Sequence, residues 1–104
     1  MSSIPYRRQG VVLTLDWRGS EIILMINRHP ETGEICEVFG DGPKVGSELC
    51  ELLHDCCINL SLQMQDGTPV EFFAHAVIRD PEGRPQSILG LISDALCAEN
   101  QTEA

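Results

Sequence analysis

Three segments within the first forty residues have the apolar patterns that are typical of β-strands. From Val11 to Trp17 the odd positions are apolar, while Thr14 and Asp16 stand between them, and this period of two predicts a half-buried strand. The run "EIILMIN", residues 21–27, is apolar on both faces and is typical of a central strand. After the loop "HPETGE", the segment "ICEVF" predicts a third strand. Short connections between sequential strands favour an antiparallel meander.

After Phe39 the period changes to that of a helix. The glycine-rich segment "GDGPKVGS" is a loop, and Ser47 at its end is a candidate N-cap. Apolar residues then recur at helical spacing until Asp66-Gly67, so we predict one long amphipathic helix. Its apolar stripe consists of Leu49, Leu52, Leu53, Cys56, Cys57, Leu60 and Met64.

Two shorter helices are predicted further along the chain. "TPVE" begins the first of them, with Thr68 as the cap, Pro69 at the first helical position and Glu71 completing a capping box. "RDPEGRP", residues 79–85, is rich in helix breakers and predicts a loop. The last helix is predicted from about Ser87 to Cys97.

These elements predict an α+β fold, in which a three-stranded antiparallel meander is followed by three helices packed on the sheet. We expect a single domain over residues 9–98, between an N-terminal tail, 1–8, and a C-terminal tail, 99–104. A chain of 104 residues is long enough to bury a core without disulfides or a structural metal.

The charge of the chain restricts its partners and its location. Sixteen acidic residues against seven basic ones give a net charge of −9, which repels phosphate backbones and argues against double-stranded nucleic acid as a partner. There is no run of about 18 apolar residues, and "MSSIPYRRQG" lacks the apolar region of a signal peptide. We therefore expect no membrane partner and a cytoplasmic location, where the five cysteines stay reduced.

The stretch "HDCCINLSLQMQDG" raises the question of a metal or thiol site. Cys50, His54 and Cys57 stand at i, i+4 and i+7 and can face one metal ion, with Cys36 as a fourth ligand from the sheet. However, no C-x-x-C knuckle occurs, and a free cysteine is a small hydrophobe that is often buried. A helical projection puts Cys56 near the middle of the apolar arc and Cys57 at its edge. We predict packing cysteines, no metal and no cofactor; the metal site is the alternative.

The "GDGPKVGS" turn supports the first alternative function, a small nucleotide- or anion-binding domain, and the metal-binding protein is the second. Its glycines let the backbone approach an anion, the helix after Ser47 offers free N–H groups, and Lys44 adds positive charge. The Walker order is missing, because the lysine does not directly precede the serine. The candidate anion ligands are Lys44, Gly46, Ser47 and Arg79; the other interpretation is a capped turn and an arginine paired with one of the carboxylates.

Two apolar residues do not fit the main stripe of the long helix. Ile58 and Leu62 oppose that stripe, so they contact either another helix of the domain or a partner chain, and a homodimer is among the arrangements left open. His75 in "FFAHAV" has no evident acidic partner and is expected at the edge of the core. No catalytic triad order, G-x-S-x-G or H-E-x-x-H occurs, so we predict no catalytic residues and no activity of the chain alone.

The order of several short motifs is similar to that of a known domain. They are Glu37-Val38-Phe39, Lys44-Val45-Gly46-Ser47, Leu60-Ser61-Leu62-Gln63 with Gly67, and Pro69-Val70-Glu71. In this order they resemble the TSCPD domain, the C-terminal region of adenosylcobalamin-dependent ribonucleotide reductases, as a short stand-alone relative. Most of the chain takes part in the resemblance, and its specificity lies in the order of the motifs.

The signature of that domain is degraded here, and this limits what the resemblance implies. Ser87 matches its serine, but Ile88, Leu89 and Gly90 replace the Cys-Pro-Asp. Nor do 104 residues contain the large barrel that carries out nucleotide reduction in such enzymes. The resemblance implies a non-catalytic accessory module that binds a protein partner, which is a ribonucleotide reductase or another complex of nucleotide or DNA metabolism.

Overall fold

The fold is built from a small sheet and the helices that cover one of its faces. A computed structural model describes residues 9–42 and 47–101. A three-stranded antiparallel sheet of order β1-β2-β3 precedes three helices, which confirms the predicted α+β fold. Within the described ranges, none of the helices is long and apolar enough to cross a membrane. The elements are β1 (Gln9–Trp17), β2 (Ser20–Arg28), β3 (Ile35–Asp41), α1 (Glu48–Gln65), α2 (Val70–His75) and α3 (Ile88–Asn100).

A two-residue turn joins β1 to β2 and fixes their register. Arg18 and Gly19 both have positive φ, of 52° and 90°, which is the type I′ geometry that matches the twist of paired strands. Trp17 pairs with Ser20 across this turn. The Arg18 guanidinium lies 4.5 Å from the centroid of the Trp17 ring and donates to the Gln86 carbonyl at 3.1 Å. The hairpin is thereby tied to the segment that leads into α3.

The central strand is covered on one face only. Ile22, Leu24 and Ile26 of β2 are fully buried beneath the helices, whereas Ile23 and Met25 on the opposite face are exposed. The prediction that this run is the central strand is confirmed. A strand that is apolar on both faces usually has both faces covered. Here only one face is covered, and the apolar side chains of the open face are in contact with solvent.

Helix α1 begins where the sequence predicts, but it uses a narrower stripe. Ser47 caps it, its hydroxyl accepting from the Cys50 amide at 3.1 Å. Leu52 is half exposed and Cys56 is only partly buried, so the projection that centred the stripe on Cys56 is wrong. Spacings of three and four residues make a narrow seam, as in coiled coils. The buried residues of the seam are Cys50, Leu53, Cys57, Leu60 and Met64.

Helix α2 differs from its predicted start. It spans Val70–His75 with Pro69 at the N-cap and no side-chain cap, so the predicted capping role of Thr68 is wrong. The Glu71 carboxylate does not close a capping box, because it accepts a hydrogen bond from the Asn100 side-chain amide at 3.0 Å. His75 is exposed and does not lie at the core edge.

Helix α3 runs further than predicted and includes the first residues of the expected C-terminal tail. Its N-cap is Ser87, whose hydroxyl accepts from the Gly90 amide at 3.3 Å. It continues to Asn100 because the buried Arg28 guanidinium donates to the Glu99 carbonyl at 2.6 Å and lies 3.6 Å from the Glu99 carboxylate. The other predicted tail, residues 1–8, lies outside the described residues.

Helix α1 packs close to the sheet at Gly40 of β3. A Cβ atom there would lie 2.8 Å from two side-chain carbons of Leu53 and 3.0 Å from the sulfur of Cys57. A side chain at this position would therefore force Leu53 or Cys57 to shift, since real Cβ contacts are longer. This contact sets the distance between α1 and β3.

We predict that Gly40→Ala lowers the free energy of unfolding by about 1–3 kcal/mol, because the added methyl group overpacks the seam. Gly42→Ala is the matched control, since its Cβ would lie 3.6 Å or more from its nearest neighbours, an ordinary contact. Urea unfolding followed by circular dichroism measures both variants. Equal stability of Gly40→Ala and Gly42→Ala would show that the helix is not held this close to the strand.

Candidate functional site

The residues predicted to bind an anion are already engaged or lie outside the described chain. Lys44 and Gly46 fall in the segment 43–46, which the structure does not describe. Ser47 uses its hydroxyl to cap α1. The terminal N–H groups of Arg79 all donate within the chain, so an anion has to displace Asp94 to reach them. Their acceptors are the two carboxylate oxygens of Asp94 at 2.9 and 2.7 Å, the Gly83 carbonyl at 3.0 Å and the Ala74 carbonyl at 2.8 Å.

The ion pair of Arg79 with Asp94 has a structural role. Hydrogen bonding to Asp94 raises the pKa of the Arg79 guanidinium and holds it charged. The bidentate pair connects the segment after α2 to α3, while the bridge between Arg79 and Pro85 closes the intervening loop. This is the paired-arginine interpretation that the sequence left open.

The residues of the alternative metal site do not converge. Cys50 Sγ and His54 Nε2 are 3.8 Å apart, a weak sulfur contact. Cys57, however, points into the seam between α1 and β3 and is buried. Over residues 9–42 and 47–101, no group of three or more His, Cys, Asp or Glu side chains is placed to hold a metal ion. Cys36 of β3 therefore has no ligand cluster to join in this part of the chain.

The environment of the adjacent thiols Cys56 and Cys57 in α1 disfavours the thiolate. Burial, and after it the charge of the neighbouring Cys56, raises the pKa of the Cys57 thiol from 9.0 to about 12. Burial and the nearby Asp55 carboxylate also raise the pKa of Cys56. The thiolate is the reactive form of cysteine, so both shifts lower the reactivity of these thiols at neutral pH. Cys57 belongs to the hydrophobic core cluster, as the packing interpretation requires.

An open apolar groove runs between the outer flank of α1 and β3. Its volume is about 470 Å³. Three large apolar side chains on it are exposed to solvent: Phe39 by 51%, Ile58 by 56% and Leu62 by 60%. The predicted partner-contact residues Ile58 and Leu62 thus face solvent and do not pack against another helix of the described domain. The groove is lined by Glu37, Val38, Phe39, Gly40, His54, Cys57, Ile58, Ser61, Leu62 and Gln65.

Side chains of α1 occupy the backbone edge of β3 at the base of the groove. The Ser61 hydroxyl accepts from the Val38 amide at 3.0 Å and donates to the Val38 carbonyl at 3.1 Å. The Gln65 side-chain amide donates to the Cys36 carbonyl at 3.1 Å. Because these backbone groups are already paired, the groove offers apolar side-chain contacts and not a template for an added strand.

The apolar surface continues from the groove onto the open face of the sheet. Phe39 pairs with Met25, and Met25 pairs with Val12, so their side chains form one row across the three strands. All three are exposed. We call Val12, Met25, Phe39, Ile58 and Leu62 the apolar band.

The sequence pattern contained an unused signal for this band. Val12 occupies a position of β1 where alternation calls for a polar residue, and Met25 and Phe39 are apolar on the face that turns away from the core. Apolar residues on the solvent side of a half-buried strand point to a binding surface. The prediction from sequence included only the two helical members, Ile58 and Leu62.

Comparisons of the chain with protein-family models, with curated proteins and with solved structures find no match. The resemblance of residues 21–77 to the TSCPD domain therefore stays a prediction. The functional assignment depends on the geometry and charge of the groove.

We predict that iodoacetamide at pH 8 alkylates Cys57 in the folded protein at least about 100-fold more slowly than in urea, because its pKa of about 12 and its burial suppress the thiolate. Peptide mass spectrometry resolves the cysteines, and unfolding in 6 M urea is the control that removes the protection. Rapid labelling of Cys57 without urea would identify it as a reactive thiol.

The same thiol makes stability depend on pH at the alkaline end. Folding raises the pKa of Cys57, so the unfolded chain ionises first, and the stabilisation present below pH 9 is lost as the pH rises towards 12. We predict that the free energy of unfolding falls over this range, and that it falls less steeply in Cys57→Ala. Urea titrations at several pH values measure the two slopes; equal slopes would contradict the assignment.

Proposed function

We propose that this chain is a non-catalytic protein-interaction module that binds a partner protein through the groove between α1 and β3. The observation that carries the proposal is the exposure of Phe39, Ile58 and Leu62 together in one groove of about 470 Å³. Contiguous exposed apolar surface of this kind marks interaction sites in folded proteins. Phenylalanine is also among the residues enriched at the cores of protein interfaces.

The charge around the groove indicates the chemistry of the partner. Glu37 lines the groove, Asp41 follows it on β3, and no lysine or arginine is among the described residues that line it. The whole chain carries a net charge of −9. A partner segment with apolar side chains flanked by lysine or arginine is complementary to this surface, since opposite charge steers association and apolar contacts supply affinity.

The resemblance to the TSCPD domain supports a particular class of partner. On that resemblance the partner is a ribonucleotide reductase, or another protein complex of nucleotide or DNA metabolism, to which this chain is an accessory. We place the chain in the cytoplasm with that partner, since its five cysteines form no disulfide and thus fit a reducing compartment. Catalysis remains with the partner in this proposal, since the thiols of α1 serve as packing groups.

We predict that Leu62→Asp abolishes recovery of the partner by affinity capture from native extract, because it replaces an exposed apolar contact of the groove with a charge. Ile78→Asp is the matched control, since Ile78 is also an exposed aliphatic residue, by 75%, but does not line the groove. Quantitative mass spectrometry compares both variants with the wild-type chain. Equal recovery with Leu62→Asp would contradict the proposal.

A random peptide library tests the chemistry of the partner without native extract. Peptides selected on the immobilised chain are expected to combine aliphatic or aromatic residues with lysine or arginine. Their affinity is expected to fall at least about tenfold for Leu62→Asp, which corresponds to about 1.4 kcal/mol, and to stay unchanged for Ile78→Asp. Selection of acidic peptides, or of peptides indifferent to Leu62→Asp, would rule out the groove as the binding site.

A further inference from the structure

The two edges of the sheet differ in what occupies them. At β3, the Ser61 and Gln65 side chains bond to the outward backbone groups. At β1 the turn determines which backbone groups face outward. The two residues that flank a two-residue turn bond to each other through both of their N–H and C=O groups, and hydrogen-bonded pairs then alternate with non-hydrogen-bonded pairs along the hairpin. Trp17 and Ser20 form that closing pair, so the odd residues of β1 bond to β2. The even residues Gly10, Val12, Thr14 and Asp16 turn their N–H and C=O groups away from it.

No other described element accepts or supplies hydrogen bonds at this edge. Over residues 9–42 and 47–101, none of the four even residues of β1 makes a backbone hydrogen bond outside the sheet. Natural edge strands are usually protected by lysine, by proline, by a bulge or by being short. β1 is nine residues long, contains neither lysine nor proline, and pairs with β2 in an unbroken register. An open edge of this kind is a template for another strand.

The core face of β1 is also incompletely covered. Its odd residues, from Val11 to Trp17, pack against the core but remain partly exposed, whereas the neighbouring Ile22, Leu24 and Ile26 of β2 are fully buried. The apolar face of the sheet therefore extends beyond the area that the helices cover. An added strand would continue the sheet and cover this apolar row at the same time.

We infer that β1 pairs antiparallel with β1 of a second copy of the chain, around a two-fold axis at Leu13. In that register Val12 lies opposite Thr14 and Gly10 lies opposite Asp16, so every outward backbone group of both strands is paired. Two such three-stranded sheets form one continuous six-stranded sheet. The contact is isologous, as two-fold dimers require.

The side chains are self-complementary in this register. On the core face Leu13 meets its own copy and Val11 meets Leu15, which extends the apolar layer through the interface. On the open face Asp16, which is the one carboxylate of β1, lies opposite Gly10 of the second copy and not opposite another charge. Centring the pair on Val12 or Thr14 would leave an outward residue unpaired at one end of each strand.

The net charge of −9 on each copy opposes this dimer and gives it a characteristic salt dependence. Repulsion between like-charged proteins is long-ranged at low ionic strength and is screened beyond about 8 Å at 0.15 M salt. The dimer therefore strengthens as salt is added, whereas a complex held by opposite charges weakens.

Analytical ultracentrifugation of the full chain at 1–100 µM, about the range of a moderate dimer, tests the inference. We expect a dimer whose dissociation constant decreases as the salt concentration is raised from about 0.02 M to about 0.3 M, because the added salt screens the repulsion between the two copies. Thr14→Pro removes an outward N–H and is tolerated on an edge strand, so it is expected to give a folded monomer. Thr14→Val keeps that N–H and is the matched control, which is expected to stay dimeric.

A wild-type chain that is monomeric at 100 µM, about ten times above a weak dimer's dissociation constant, would overturn the inference, as would a dimer that persists in Thr14→Pro. Hydrogen exchange on the wild-type chain covers the case in which Thr14→Pro does not fold. The amides of Val12 and Thr14 are expected to gain protection as concentration rises, and unchanged exchange would overturn the inference. Leu62→Asp is expected to leave the dimer intact, which separates this contact from the proposed partner groove.

Discussion

The packing of α1 on β3 at Gly40 determines where the rest of the molecule is covered and where it is open. Leu53 and Cys57 lie so close to Gly40 that a Cβ there would force their side chains to shift. At this distance the Ser61 hydroxyl reaches both backbone groups of Val38. The helix thus lies over the β3 side of the sheet, and β1 at the opposite side keeps a partly exposed apolar face.

The two sides of the sheet consequently offer two different kinds of recognition. On the β3 side the backbone edge is already paired, so binding depends on the side chains of Phe39, Ile58 and Leu62 and on the acidic surroundings. On the β1 side the backbone itself is the binding element, and the side chains matter through their alternation. The two proposed contacts are compatible, because the residues that line the groove belong to β3 and α1, whereas the proposed dimer contact uses β1.

The spacing of apolar residues was enough to predict the strands and helices, because strands and helices have different spacings that can be read from a short segment. The strand order and the cap at Ser47 were predicted from local sequence and are confirmed. Features that depend on distant residues were not predictable in this way. Asn100 draws Glu71 out of its expected capping box, and Asp94 takes up the Arg79 guanidinium.

The groove was half predictable, for the same reason. Ile58 and Leu62 stood out because they oppose the apolar stripe of α1, but Phe39 joins them only through the position of α1 beside β3. The choice between Cys56 and Cys57 likewise depended on how narrow the seam is, which reflects the single strand that α1 covers. Local period places a residue on a face; the neighbouring element decides whether that face is a core or a binding surface.

The central claim is that the α1–β3 contact creates a binding surface for a protein. The most direct test is an NMR titration of the isotopically labelled chain with a peptide selected for binding to it. The account predicts that the largest shift changes fall on the amides of Phe39, Ile58 and Leu62, with little change at Ile78 or Arg79. Changes centred on the Arg79 loop, with the amides of the groove unaffected, would contradict it.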